Sequence, residues 1–208
     1  MKSVGVKICG VTRVEDAVLA VELGAQYVGL NFWPRSPRYL TLAKARPLVE
    51  AVAGKALLVG VWVDPSRDQV RAIASELDLD LYQFHGDKEP ESVDWFPGRV
   101  IKALQVGPDL AGIDLDDYPG AWGYLFDCAP AGVFGGTGKA WSYERIADLD
   151  SAKPVLLAGG LSPENVAAAI LESRANIVDV CSGVEAESGI KDPDLLARFF
   201  SEVRNVQT

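Results

Sequence analysis

The residues best suited to proton-transfer chemistry stand at the ends of short apolar runs. In Val4–Cys9, strand alternation puts Val4, Val6 and Ile8 on one face and Lys7 and Cys9 on the other. Ile177–Cys181 repeats the pattern, with Asp179 and Cys181 opposite Val178 and Val180. A thiol becomes a useful base when a nearby cation lowers its pKa, and Lys7 is such a cation two residues from Cys9. If the two runs are neighbouring strands, Lys7 and Asp179 form a buried ion pair, since neither charge is tolerated alone inside a protein. Asp127 closes the run "YLFD" opposite in parity to Phe126 and Cys128, a position with few structural reasons for a carboxylate. His85 ends "LYQFH" on the face of Gln83, and Asn31 ends the second run on the face of Gly29. Cys9 also fits the role of a small half-buried hydrophobe, Lys7 and Asp179 that of a structural pair, and His85 that of a loop cap. Three Cys and one His are a zinc ligand set. They lack short pair spacing, however, and Cys128 points away from Cys9 and Cys181, so no metal site is expected.

Anion chemistry is written into the glycines. "VFGGTGKAW" holds Gly135, Gly136 and Gly138, "AGGLSPENV" holds Gly159 and Gly160, and "CSGVEAESG" holds Ser182 and Gly183. Glycine lets the backbone approach a ligand and turns successive N–H groups toward an anion. The first stretch is not a P-loop, because Val133 and Ala140 occupy positions that a P-loop gives to Gly and Ser/Thr. Tight turns with helix caps are the structural alternative. A second cationic feature is "FWPRSPRYL", where Arg35 and Arg38 lie on a proline-braced loop. A guanidinium fixed there can grip a carboxylate with two parallel hydrogen bonds, and a solvated loop is the alternative.

These residues need elements to hold them. Eight runs rich in Val, Ile and Leu read as strands buried on both faces: Val4–Cys9, Tyr27–Trp33, Ala56–Val63, Leu81–His85, Val100–Gln105, Tyr124–Asp127, Val155–Ala158 and Ile177–Cys181. Helical patterns lie between them. Thr12 with Glu15 forms a capping box, and Asp64-Pro65, Ser162-Pro163 and Asp192-Pro193 each set a cap before a proline. Gly24 ends the first helix, and "GPDLAGIDLDDYPG" predicts a brief or irregular fifth one. Eight βα units point to an α/β fold, a single (β/α)8 TIM barrel over residues 1–208, with phosphate-binding loops after strands 6–8. An open doubly wound sheet is the alternative, but no dinucleotide fingerprint marks a switch point. In the barrel, the active site lies at the C-terminal ends of the strands, where the polar residues fall.

The whole chain narrows the partners. Its 208 residues suffice for one core, and a net charge of −9 argues against nucleic acid or an anionic membrane while leaving room for a small anionic substrate. Three scattered cysteines suit a reducing, cytoplasmic setting, and no apolar run reaches membrane-span length. Oligomeric state, monomer or homodimer, is open at this stage.

Six stretches in order, "KICG", "GLNFWPRSPRY", "QFHG", "FDCAPAGVFGGTGKAW", "AGGLSPENV" and "VDVCSGVEAESGIKD", resemble phosphoribosylanthranilate isomerases. The resemblance implies a (β/α)8 barrel and a cofactor-free Amadori rearrangement in tryptophan biosynthesis. The substrate would be N-(5-phosphoribosyl)anthranilate and the product 1-(2-carboxyphenylamino)-1-deoxyribulose 5-phosphate. It further implies Cys9 as general base and Asp127 as general acid. It places Arg38 at the anthranilate carboxylate, Lys7, His85 and Asp179 around the substrate, and the phosphate on Gly135, Gly136, Gly138, Gly159, Gly160, Ser182 and Gly183. Trp141-Ser142-Tyr143 departs from the family pattern at the barrel mouth. Three other barrels are conceivable. A bifunctional isomerase of histidine biosynthesis would carry Asp in place of Cys9. An indole-glycerol-phosphate synthase would need a lysine acid, for which Lys102 is a poor candidate. A non-enzymatic phosphate-sugar binder would not need both Cys9 and Asp127.

Overall fold

The computed structural model describes residues 3–86, 90–106, 113–127 and 143–206. Eight parallel strands close in chain order into a barrel: β1 (Gly5–Ile8), β2 (Tyr27–Asn31), β3 (Leu57–Val63), β4 (Leu81–His85), β5 (Val100–Gln105), β6 (Gly123–Asp127), β7 (Val155–Ala158) and β8 (Ile177–Val180). Helices α1 (Val14–Leu23), α2 (Leu42–Val52), α3 (Arg67–Ala74), α4 (Glu144–Ala147) and α5 (Val166–Ser173) fall between strands. 3-10 segments at Pro90–Trp95 and Leu115–Asp117 lie before and after β5. After β8 come a 3-10 turn (Ser182–Val184), a hairpin of β9 (Glu185–Glu187) and β10 (Ile190–Lys191), and α6 (Pro193–Asn205).

Strand alternation divides the apolar residues into two cores. Val59, Val61, Leu81, Ile101, Ala103, Leu125, Leu156, Ala158 and Ile177 fill the barrel. The opposite face of every strand packs against the helices, as Ile8, Val28, Leu58, Phe84, Phe126, Leu157 and Val178 do. Helix α6 shows the outer layer's logic. Leu196, Phe199, Phe200 and Val203 recur at helical spacing and are all buried, each contributing about 1.5–3 kcal/mol of burial. Asp192 caps α6 by accepting from the N–H groups of Asp194 and Leu195, and Pro193 fits the first turn. Gly24 ends α1 in the left-handed conformation. None of the described helices is long and apolar enough to cross a membrane.

Three helix starts differ from expectation. The Thr12/Glu15 capping box does not form. Arg13 takes the N-cap position without a side-chain cap, while Thr12 Oγ1 donates to the Gly189 carbonyl at 2.5 Å and Glu15 pairs with Arg13. A contact across the barrel mouth outcompetes the local cap. Asp64 gives way to Ser66, whose hydroxyl accepts from Gln69 N at 3.2 Å while Gln69 Oε1 accepts from Ser66 N at 2.8 Å, a complete capping box. Ser162 does accept from Glu164 N, but through a preliminary turn; α5 proper begins at Val166. The brief, irregular segment expected in 107–120 is the 3-10 turn Leu115–Asp117 in its described part, while residues 107–112 lie outside the described residues.

Candidate active site

Barrel closure makes β1 and β8 neighbours, and their register pairs Lys7 with Asp179 and Ile8 with Val180. Lys7 is fully buried, and its Nζ donates to both carboxylate oxygens of Asp179 at 2.9 Å. Burial pushes the Asp179 carboxyl up to about 7, further than the Lys7 ammonium brings it back, with the Cys9 sulfur adding to the rise. Burial alone would lower the Lys7 ammonium. Asp179 and Cys9 reverse that and hold it above its ordinary value.

Cys9 stands one residue past β1, its N–H bonded to the Val180 carbonyl at 2.8 Å. Its thiol is held well below the ordinary value. The largest cause is a hydrogen bond from the Cys181 thiol, followed by the Lys7 ammonium, and together they outweigh burial. Cys181 is raised in return, by that hydrogen bond to Cys9 and then by burial. Sequence parity anticipated both sulfurs facing inward; their electrostatic coupling it did not. Two glycines make room. A Cβ on Gly29 of β2 would lie 2.9 Å from Cys9 Sγ and 3.2 Å from Lys7 Nζ. Gly10 follows Cys9 in the left-handed region (φ 67°), where a Cβ would lie 2.4 Å from Arg38 Cδ and 2.9 Å from Cys181 Sγ.

Arg38 reaches the mouth from a loop fixed by its own turns. Asn31 Oδ1 accepts from Trp33 N, Ser36 N–H bonds to the Trp33 carbonyl, and Ser36 Oγ accepts from Arg38 N. The guanidinium is already engaged, its Nε 2.7 Å from Glu185 Oε1 and its Nη2 2.5 Å from Oε2. Buried Lys191 donates to the same carboxylate at 2.9 Å and to the Cys181 carbonyl at 3.0 Å. Burial would raise the Glu185 carboxyl, but Arg38 and Lys191 outweigh it and hold it below its ordinary value. Glu185 and Lys191 went unnoticed in the sequence. The available signal was an acid and a base flanking the "ESG" turn of a glycine-rich stretch that otherwise reads as an anion loop.

Across the barrel, Asp127 ends β6 in register with Gln105 and with Ala158 of the inner core, so it faces inward. Its carbonyl accepts from Val106 N at 3.0 Å and Gln105 Nε2 at 3.1 Å. His85 ends β4 with its Nε2 2.7 Å from the Gln83 amide nitrogen. Burial lowers the His85 imidazole, against the opposing charges of Asp127 and Cys9. Asp179 and His85 thus both lie within electrostatic reach of Cys9 and Asp127. Lys102 is buried on the outward parity, donating to the Gly86 carbonyl at 2.9 Å. Asn31 spends its side chain on its own loop.

The turns after β7 and β8 meet. Gly159 and Gly160 are both left-handed, with φ 94° and 69°. Gly183 packs so closely that a Cβ would lie 1.9 Å from the Leu161 carbonyl oxygen. Ser182 begins the 3-10 turn beside it. Gly135, Gly136, Gly138, Cys128 and the Trp141-Ser142 departure lie outside the described residues. Among the described residues, no group of three or more His, Cys, Asp or Glu side chains is placed to hold a metal ion.

The arrangement is a thiol and a carboxylate at the C-terminal ends of β1 and β6, a buried ion pair between β1 and β8, and glycine turns after β7 and β8. The family model for N-(5'-phosphoribosyl)anthranilate isomerase matches residues 6–202. An N-(5'-phosphoribosyl)anthranilate isomerase of Azotobacter vinelandii is 45% identical over 207 residues, covering 99% of this chain and 100% of its own. The crystal structure of phosphoribosyl anthranilate isomerase from Thermotoga maritima superposes with a TM-score of 0.84 at 35% identity, over 97% of this chain and 99% of that one. A further isomerase structure, in complex with reduced 1-(o-carboxyphenylamino)-1-deoxyribulose 5-phosphate, has a TM-score of 0.79 at 33% identity, over 97% and 99% of the two chains. From β1 to α6, this barrel belongs to the phosphoribosylanthranilate isomerase family.

Proposed function

We propose that this protein is a phosphoribosylanthranilate isomerase of tryptophan biosynthesis and that Cys9 and Asp127 carry its reaction, within one catalytic barrel spanning residues 1–208. What supports the assignment of roles is that Cys9 and Asp127 both stand at the C-terminal ends of their strands on the inward parity, Cys9 beside the Lys7 ammonium.

Asp127 delivers a proton to the furanose oxygen of N-(5-phosphoribosyl)anthranilate. The C1–O bond breaks as the anthranilate nitrogen lone pair forms C1=N. The Cys9 thiolate takes the proton from C2, which the iminium has made acidic, and the electron pair moves to C1=C2 and nitrogen. Protonation at C1 and loss of the O2 proton then yield the ketose, so the atoms balance without any external reactant. A thiolate available near neutral pH combines basicity with the correct protonation state. The acidic neighbours must not swamp it, and the Lys7 ammonium beneath both Cys9 and Asp179 offsets their charge.

Arg38 holds the anthranilate carboxylate. Glu185 occupies Nε and one edge of Nη2, leaving Nη1 and the remaining Nη2 proton for the substrate. Lys7, Asp179 and His85 line the substrate. The phosphate sits on the N–H groups of Gly159, Gly160, Ser182 and Gly183, and the family resemblance adds Gly135, Gly136 and Gly138, which lie outside the described residues. This reading carries a small phosphorylated ligand, no cofactor, no nucleic-acid or membrane partner, a cytoplasmic setting and a monomer or homodimer. Incubating purified, metal-free protein with phosphoribosylanthranilate and following loss of its fluorescence tests the assignment. Turnover without added metal or nucleotide is expected, and no turnover from folded protein would overturn it.

A further inference from the structure

We propose that Cys9 and Cys181 form an oxidant-responsive thiol pair, in which a hydroperoxide oxidises Cys9 and Cys181 resolves the product into a disulfide across the barrel mouth. The two residues each follow the last residue of adjacent parallel strands, β1 and β8, whose final registered pair is Ile8 with Val180. Neighbouring strands lie about 4.7–4.9 Å apart, inside the roughly 4.4–6.8 Å range of Cα separations that a disulfide spans. Both side chains turn inward, both are half-buried free thiols, and Cys181 Sγ leans over Gly10, the residue after Cys9. Cys181 has left strand geometry (φ −127°, ψ −87°), one residue beyond the last registered pair of β1 and β8.

The chemistry separates the two sulfurs. Cys9, beside the Lys7 ammonium and held low, is the nucleophile; Cys181, pushed up in return, is the resolving thiol. The Cys9 sulfur attacks the terminal oxygen of the hydroperoxide. The O–O bond breaks, an alcohol (or water) leaves with a proton, and Cys9 becomes a sulfenic acid, oxidised by two electrons. The Cys181 sulfur then attacks Cys9 Sγ; the S–S bond forms, the S–O bond breaks, and the departing hydroxide leaves as water with the Cys181 proton. A thiol reductant returns both cysteines. Cys9 cannot accept a proton while it is cross-linked, so oxidation stops turnover. That consequence rests on Cys9 being the base; the cross-link itself does not.

The test treats the purified full chain with a small excess of hydrogen peroxide at neutral pH. Intact mass, peptide mapping without reductant, and turnover before and after dithiothreitol are then read. The expected product is lighter by two hydrogens, carries a Cys9–Cys181 cross-link, has turnover reduced about 100-fold or more as for loss of a proton-transfer group, and recovers with dithiothreitol. C181S, compared with its own untreated activity, gains oxygen at Cys9, forms no cross-link, and loses turnover that dithiothreitol restores incompletely as Cys9 passes to the sulfinic acid. C128S still forms the cross-link. Oxygen uptake at Cys9 in the unmodified chain without that cross-link, or fully reversible inactivation of C181S, would overturn the proposal. A cross-link that leaves turnover intact keeps the thiol pair and removes Cys9 from the base role.

Discussion

Replacing Asp179 with asparagine should abolish one specific pH dependence of stability. Asp179 is 7% exposed, and burial raises its carboxyl from 3.8 to about 7 even though Lys7 donates to both oxygens at 2.9 Å. A shift of about 3 units corresponds to about 4 kcal/mol at roughly 1.36 kcal/mol per unit. Because the folded state holds this proton more tightly than the unfolded chain, the stability it contributes is complete below about pH 4. It shrinks as the pH rises and is exhausted above about 7. Asparagine does not titrate, and other carboxylates cancel to first order in the difference between the two proteins. Between about pH 4.5 and 7, the parent should therefore lose about 3 kcal/mol relative to D179N. Any pH-independent offset between the two proteins, set by how the amide replaces the protonated carboxyl beside Lys7, does not enter this slope. Urea unfolding at fixed ionic strength, followed by circular dichroism at four or five pH values, measures the slope separately from the offset. A difference that is flat across that window would refute the reasoning, since it would mean that Lys7 fully compensates the burial of Asp179.

Cys9→Ala and Asp127→Asn should each lower kcat by about 10²–10⁴-fold while leaving the fold and phosphate binding nearly intact. Near-normal turnover by either variant would remove that residue from the acid/base pair. Arg38→Ala should raise KM more than it lowers kcat. Glu185→Ala should reproduce the pattern, because it removes the two bonds that fix the guanidinium. Loss of a charged hydrogen bond worth about 1.5–3 kcal/mol corresponds to roughly a 10- to 150-fold rise in KM. In steady-state kinetics, a fall in kcat at constant KM would move both residues from binding to chemistry.

The barrel could be read from the chain because its strands are buried on both faces. Unbroken runs such as "LLVGVWV" and "LYQFH" have few other places to go, and β4, β5 and β7 fall at the expected residues. Parity then put Lys7, Cys9, Asp127, His85 and Asp179 on the inner face, and closure of the barrel made the Lys7–Asp179 pair a necessity of charge burial. Parity ends where the strands end. Thr12 carries a good capping signature, yet its hydroxyl goes to Gly189, 177 residues away in sequence, which no local pattern predicts. Arg38 reads as a free guanidinium on a loop, yet Glu185 holds it, because the loops after β2 and β8 converge over Gly10.

The same charge rule that exposed the first pair applies to the second, and here it went unused. Lys191 is 2% exposed, so its ammonium requires an acidic partner in the interior. Within "CSGVEAESGIKD", a hairpin turn at "ESG" folds Lys191 back toward Glu185, which meets that requirement and leaves Glu185 with a second oxygen for Arg38. Glu185 therefore cannot be treated as one more loop carboxylate. It is the shared anion of two cations, and it couples Arg38 to the loop after β8 that carries both Cys181 and the turn at Gly183.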